Sequence, residues 1–289
     1  MRPFLRSSLT ALALTAFACL PATAATPKPL KILLVTGGCC HDYVTQKDLL
    51  KTGLEQRANV IVEHLHTSDT STKPPLASLT NPNYADGYDL VIHNECAAGI
   101  ADAALVKNVL APHVKGMPGV ALHCAMHSFR VVKDFARPQT PGSEGALWFD
   151  FLGLQSSGHG PQEPIVVTYT DAAHPITKGF EPWATMKEEL YNNVQPPSAF
   201  SAHRSLATGR QMVTNKKDGT TKEVDAVVVW TNEFGPKKAR VFCTSIGHNN
   251  ATVDDPHYLD LVTRGVLWAA GKLDAKGRPL PGYAAPQSR

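Results

Sequence analysis

Residues 31–42 read KILLVTGGCCHD: an apolar run from Lys31 to Thr36, then the loop Gly37-Gly38-Cys39-Cys40-His41-Asp42. A strand that is apolar at consecutive positions has both faces covered. That is the pattern of a parallel sheet under helices, not of an antiparallel sheet with one wet face. Working outward, the pattern recurs at Tyr88 to His93 (YDLVIH) and at Gly119 to Cys124 (GVALHC), with Asn59 to Leu65 (NVIVEHL) between the first two runs. Val44 to Arg57 carries Leu49, Leu50 and Leu54 at helical spacing, and Asp102 to Val114 carries Leu105, Val109 and Leu110. Repeated strand–helix units predict a doubly wound, mostly parallel, three-layer α/β sheet of flavodoxin-like type. Right-handed crossovers then bring ligand-binding loops together at the carboxyl ends of the strands.

Beyond Phe135 the periodicity loosens. Ala136 to Gly145 reads as a loop, Ile165 to Tyr169 (IVVTY) as a strand, and Leu206-Ala207 as part of another. Ala226 to Trp230 and Arg240 to Ser245 flank NEFGPKK, whose Gly-Pro suits a hairpin turn. Tyr258 to Ala270 reads as a closing amphipathic helix. Thr67 to Asp86 is polar and aperiodic, either a lid over the strand ends or a surface connection.

The N-terminus is read apart from the fold. Arg2 and Arg6 precede an apolar stretch, Leu9 to Leu20, that is too short to span a bilayer, and Ala22-Thr23-Ala24 supplies small residues for cleavage. The expected organisation is a signal peptide over 1–24, one α/β domain over 25–272, and a disordered Pro/Gly-rich tail over 273–289. A periplasmic or secreted location follows, with no stable membrane insertion after cleavage. The net charge of +3 and the absence of basic runs interleaved with aromatics argue against nucleic acid as a partner. The five cysteines left after cleavage (Cys39, Cys40, Cys96, Cys124 and Cys243) are too few and too irregular for a disulfide framework, and there is no CxxC pair.

Chemistry is expected of the histidines, of which there are twelve. His41 follows the first strand. His93 and His123 end strands, His127 opens the next helix, His159 lies in Ser-Gly-His-Gly, and His248 follows RVFCTSIG. Converging strand-end loops would gather several imidazoles, which serve as acids, bases or metal ligands near neutrality. His64 and His66 share a strand face and read as solvated. Glu188-Glu189-Leu190-Tyr191 offers carboxylates and a phenol for a polar pocket. Asp42 either orients His41 or caps the first helix. There is no GxSxG elbow, no GxxxxGK[ST] loop, no complete dinucleotide fingerprint and no HExxH. The i, i+4 pair His123/His127 is a weak metal signal because His123 ends a strand.

These motifs together resemble a family. GGCCHD, GVALHC, the Leu152-Gly153 to His159 segment, HPITKGF, EELYNN, LATG, AVVVWTNEFGPKKARVFCTSIGHNN and GVLWAAG occur, over Lys31 to Gly271, in the order expected of ThuA-like (trehalose utilisation) proteins. Glu188 stands where the family usually has Asp, and Cys39-Cys40 is atypical. The resemblance implies a class I glutamine amidotransferase-like fold. It also implies a carbohydrate-related role that includes keto-derivatives of disaccharides. It marks His41, His123, His159, His248, Glu189 and Tyr191 as site candidates; the four histidines are expected to be catalytic, and Glu189 and Tyr191, together with Asp42 beside His41, to contact substrate. The expected activity is a hydrolase, lyase or isomerase acting on a small-molecule sugar or keto-sugar by histidine acid–base chemistry; the cofactor is left open, and a divalent metal ion held by some of the histidines is one option that would polarise a carbonyl oxygen. The alternative is a non-catalytic sugar-binding module. An amidotransferase needs a cysteine on a tight turn with glycine two residues on, and a later His-x-Glu. Here Met126 and Asn250 replace the glycine and the acid, so Cys124 is expected to pack rather than react.

Overall fold

The computed structural model describes residues 27–215 and 217–285, so the expected signal peptide lies outside the described residues. The chain order is β1 (Leu30–Gly38), α1 (Tyr43–Arg57), β2 (Val60–His66), β3 (Leu90–Cys96), α2 (Ala103–Val114), β4 (Gly119–Leu122), α3 (Leu147–Leu152), β5 (His159–Tyr169), β6 (Trp183–Tyr191), β7 (Arg204–Thr214), β8 (Thr221–Phe234), β9 (Ala239–Thr244), α4 (Asn250–Val253) and α5 (Pro256–Ala269). All nine strands form one sheet in the order β2-β1-β3-β4-β9-β8-β7-β5-β6.

The apolar run of β1 is continuous because its residues serve two cores. Ile32 and Leu34 pack with Leu50 and Leu54 of α1 and with Leu261 and Val262 of α5. Leu33 and Val35 pack with Val106 and Val109 of α2 and with Trp148 and Phe151 of α3. Each buried aliphatic side chain of this kind contributes about 1.5–3 kcal/mol relative to exposure. Helix starts are capped as their sequences suggest. Asp42 accepts the Thr45 N–H (3.1 Å), Asp102 that of Ala104 (2.9 Å) and Asp255 that of His257 (2.8 Å).

The expectation of a mostly parallel sheet is corrected. The pairings β1–β2, β1–β3, β3–β4 and β4–β9 are parallel, whereas β5–β6, β5–β7, β7–β8 and β8–β9 are antiparallel. The physical reason is connectivity. Helices separate the parallel strands, while β8 and β9 are joined by the short NEFGPKK turn, where Gly235 and Lys238 adopt positive φ, and such a link only allows antiparallel neighbours. The order β2-β1-β3-β4-β9 is the 2-1-3-4-5 doubly wound order, and the antiparallel strands extend it from β9.

The segment after Lys272, expected to be unstructured, is tied down as far as Ala285. Leu273 bridges Pro279 and Ala284 bridges Ala58. Asn59 donates through Nδ2 to the Gly282 carbonyl (2.8 Å). Backbone pairing holds it, and Leu273 and Tyr283 pack against the core. Among the described residues, no helix is long and apolar enough to cross a membrane.

Candidate functional site

Three strand ends of the parallel half deliver imidazoles to one place. β1 ends in Gly37-Gly38, and the register sets Gly38 opposite Cys96 at the end of β3. Gly38 has φ +96°, and a Cβ there would lie 2.1 Å from the Cys96 carbonyl oxygen, so only glycine lets β1 leave the sheet here and present His41. His123 directly follows β4 at φ +43°, a left-handed conformation that is costly for a side chain of this size. His248 follows β9 behind Gly247 (φ +130°), where a Cβ would meet the Tyr258 hydroxyl at 2.7 Å.

The three rings converge on each other and on Glu189 from β6. His41 Nε2 lies 2.9 Å from His123 Nε2 and 3.0 Å from His248 Nδ1. Glu189 Oε2 lies 3.4 Å from His248 Nδ1 and 3.6 Å from His123 Nε2. One donor atom from each of the four residues falls within 4.8 Å of all the others.

The hydrogen-bond partners of the rings set where their protons lie. His123 Nδ1 is 2.7 Å from the Ser245 carbonyl oxygen, which only accepts, so in the neutral ring Nε2 presents a lone pair to the cluster. His41 Nε2 faces two ring nitrogens and has at most one proton to give. His41 is held neutral: burial, then the neighbouring His123 and His248, lower its pKa to about 2. Burial opposes ionisation of Glu189, but the neighbouring His123, His248 and His159 outweigh it and hold the carboxyl well below its usual range. Glu189 in turn raises His248, by hydrogen bond more than its burial lowers it. Three imidazoles and a carboxylate gathered this closely could hold a divalent cation. The outer contacts that orient such ligands are present too, namely Ser245 on His123 and the Tyr43 hydroxyl 3.2 Å from His41 Nδ1.

The loop bearing His248 is clamped. The carboxylate of Glu188, fully buried, accepts the backbone N–H groups of Gly247 (3.2 Å), His248 (3.0 Å) and Asn249 (3.3 Å). Gln46 donates from α1 to the His248 carbonyl (3.0 Å).

The sequence-predicted residues divide accordingly. His41, His123, His248, Glu189 and Tyr191 come together, with the Tyr191 hydroxyl 3.4 Å from His123 Nε2. His159 stands at the rim, partly exposed, with Nδ1 on the Gly160 carbonyl (2.8 Å) and Nε2 3.6 Å from Glu189. Asp42 caps α1 and accepts from Asn250 (2.7 Å), and it lines a rim hollow of about 520 Å³ with His41 and His248. His93 departs from expectation. It lies inside β3, buried, between Glu95 (2.9 Å) and His113 (3.2 Å). His127 is no partner of His123 in the cluster. It bonds Ser156 (2.9 Å) and stacks on Tyr191 at 4.2 Å, and burial first, then Arg130, holds it well below its usual pKa.

Sequence reading missed Tyr43, Glu188 as the clamp, and Arg130. The Arg130 guanidinium stacks on Phe135 (3.8 Å) and lines an inner cavity of about 300 Å³ with His41, His159, Glu189 and Tyr191, and its Nε and Nη1 are buried without acceptors among the described residues. Arg130 lies in the irregular segment beyond β4 and the turn at His123–His127, where no motif marks it. Cys124 packs as expected. It is buried and donates to Cys96 Sγ (2.7 Å), and that bond and its burial push its thiol pKa well up. The residue in the strained post-strand position is His123, one residue before Cys124.

The trehalose utilisation (ThuA) family profile matches residues 31–269, and the chain belongs to that family. Among solved structures, a protein described as ThuA-like from Bacteroides uniformis ATCC 8492 is similar at a TM-score of 0.58 and 18% identity, over 91% of this chain and 99% of that one. A β-galactosidase from Bacillus circulans sp. alkalophilus aligns at 0.46 and 11%, over 86% of this chain and 31% of that one. The glutaminase domain of Trypanosoma brucei CTPS aligns at 0.40 and 11%, over 88% and 99%. Comparison with curated proteins gives no match.

Proposed function

We propose that this ThuA-family chain is an exported enzyme that acts on a sugar or keto-sugar derivative at the His41–His123–His248–Glu189 cluster, with a divalent cation as cofactor. The observation that carries this reading is the convergence of three imidazoles and an ionised carboxylate whose donor atoms lie within 4.8 Å of one another. His41, His123, His248 and Glu189 would hold the ion, an N₃O set suited to zinc and related cations. Bound there, the ion would act as a Lewis acid toward a carbonyl or hydroxyl oxygen of the sugar.

The chain's own groups account for the rest. His159 is the accessible imidazole. Its Nδ1 proton is committed to the Gly160 carbonyl, which leaves Nε2 to take or give a proton at a substrate carbon or oxygen. Tyr191 is anchored between His127 and His159 and offers its hydroxyl beside His123 to orient a sugar oxygen. Arg130 supplies unused donors to the inner cavity. The signal-peptide pattern of residues 1–24 supports export.

The test is metal analysis of the purified protein, followed by a turnover screen against oxidised and unoxidised disaccharides. The reading requires about one equivalent of divalent metal, lost in His123→Ala, and metal-dependent turnover that His123→Ala abolishes while the protein stays folded. Wild-type turnover by His123→Ala would refute the site. Sugar affinity with no turnover would identify a binding module instead.

A further inference from the structure

Beneath the histidine cluster lies a chain of four sulfurs that the proposed chemistry leaves unused. Cys39 and Cys40 form a disulfide between adjacent residues. Cys96 Sγ lies 3.3 Å from Cys39 Sγ, and Cys124 Sγ lies 2.7 Å from Cys96 Sγ. The backbone brings them together, since the register sets Gly38 opposite Cys96, and β4, which leads into Cys124, pairs with β3. Cys39, Cys96 and Cys124 are buried with Tyr43, whereas Cys40 is exposed, has φ +82°, and lines the rim hollow with His41 and His248.

We propose that this sulfur chain is a thiol–disulfide exchange site that converts Cys40 into a modifiable thiol on the rim of the histidine cluster. The thiolate of Cys96 attacks Cys39 Sγ, the Cys39–Cys96 bond forms, and the Cys39–Cys40 bond breaks. Cys40 leaves as a thiolate and takes up from solvent the proton that Cys96 gave up. One disulfide is lost and one is gained, so the step needs no external oxidant or reductant. Several features favour it. Cys124 donates its S–H to Cys96, which favours the Cys96 thiolate, and the Ala98 backbone N–H and the Arg130 guanidinium act in the same sense. Cys40 itself sits at φ +82°, a left-handed conformation that is costly for a residue other than glycine. The released thiolate can then attack a small disulfide, joining one half and expelling the other as a thiol. Because His41 is the next residue, such an adduct would sit across the mouth of the histidine cluster.

The experiment treats the purified protein, without reductant, with 2,2′-dithiodipyridine and maps peptides by mass. The expected result is about one label at Cys40, with Cys39 and Cys96 disulfide-bonded in the same molecules. Cys96→Ser should keep the Cys39–Cys40 bond and lower the labelling rate at Cys40 at least about tenfold. Unlabelled Cys40 in the wild-type protein, or wild-type labelling in Cys96→Ser, overturns the proposal. A second arm covers a Cys96→Ser protein that fails to fold. Cys40→Ser, equilibrated with oxidised glutathione, should carry a Cys39–Cys96 bond, and free thiols at both positions overturn the proposal equally.

Discussion

Glu188→Gln tests how the site is held. In the native structure one carboxylate serves three consecutive backbone N–H groups, those of Gly247, His248 and Asn249, at 3.0 to 3.3 Å. The amide keeps one acceptor oxygen and turns an NH₂ toward the donors that used the other. One N–H therefore loses a charge-assisted bond worth about 1.5–3 kcal/mol and is left buried against a donor, for a net cost of about 2–4 kcal/mol. At roughly 2–4 °C per kcal/mol for a domain of this size, the melting temperature should fall by about 5–15 °C. The same loss loosens the loop that carries His248, so affinity for a divalent cation should fall about 10- to 100-fold, as for removal of other groups that orient ligands. Calorimetry reads the first effect, and zinc competition against a chromophoric chelator reads the second. Unchanged melting in Glu188→Gln would refute the clamp. A lowered melting temperature with undiminished zinc affinity would separate the clamp from the cluster and refute the role of His248 as a ligand.

Zinc at about 100 times its dissociation constant should add about 2.7 kcal/mol to stability, raising the melting temperature by about 5–10 °C in the wild type and not in His123→Ala. A chelator should reverse the rise, and a melting curve indifferent to zinc would count against the cation. Burial, then His93, lowers the pKa of His113 to about 3, so the ring is protonated below about pH 6.5 in the unfolded chain and stays neutral in the folded one. Stability should therefore fall as pH drops from 6 to 4. His113→Gln, which can still accept from His93 and donate to the Met117 carbonyl, should remove about 1.4 kcal/mol per pH unit from that slope; an unchanged slope in urea titrations would refute it. His159→Asn should leave zinc binding within about twofold while lowering kcat about 10²- to 10⁴-fold, and equal loss of both would make His159 a ligand rather than an acid–base group.

The parallel half was legible because its strands advertise themselves locally. KILLVT, YDLVIH and GVALHC are apolar on consecutive residues, and two cores explain why. His41, His123 and His248 were legible for the same reason, since each stands just past such a run. His93 was misplaced because the apolar run stops at Ile92 while β3 continues through polar residues to Cys96, stabilised by a Glu95–His93–His113 chain that no local pattern announces. β6 was read as a polar motif, since WATMKEELY lacks strand alternation. Glu188 and Glu189 are both buried there: Glu188 accepts from the backbone around His248, and Glu189 faces His123 and His248 and accepts from Gln162, all distant in sequence. α3 was invisible because LWFDFL is too short for helical periodicity to register.

The sheet order sets the last structural question. β6 lies at the far edge, four places from β9, with β8, β7 and β5 between them. Yet Glu188 of β6 binds the backbone just after β9, and Glu189 reaches imidazoles that follow β4 and β9. A flat sheet with strands about 4.8 Å apart would hold those groups nearly 20 Å away. The antiparallel half therefore curls back over the carboxyl ends of the parallel half. Register breaks fall in β5–β6 at His159/Gln162 and Pro164/Val166, and in β7–β8 at Ser205/Ala207, where bulges bend and twist strands. Ile165, Leu190, Leu206 and Val228 of the curled strands share one core with α5. The doubly wound half supplies the three imidazoles, and the curled half supplies the carboxylate that faces them. Neither half alone assembles the four-residue cluster, so a substitution that flattens the curl should weaken zinc binding, read by chelator competition, without changing any of the four residues.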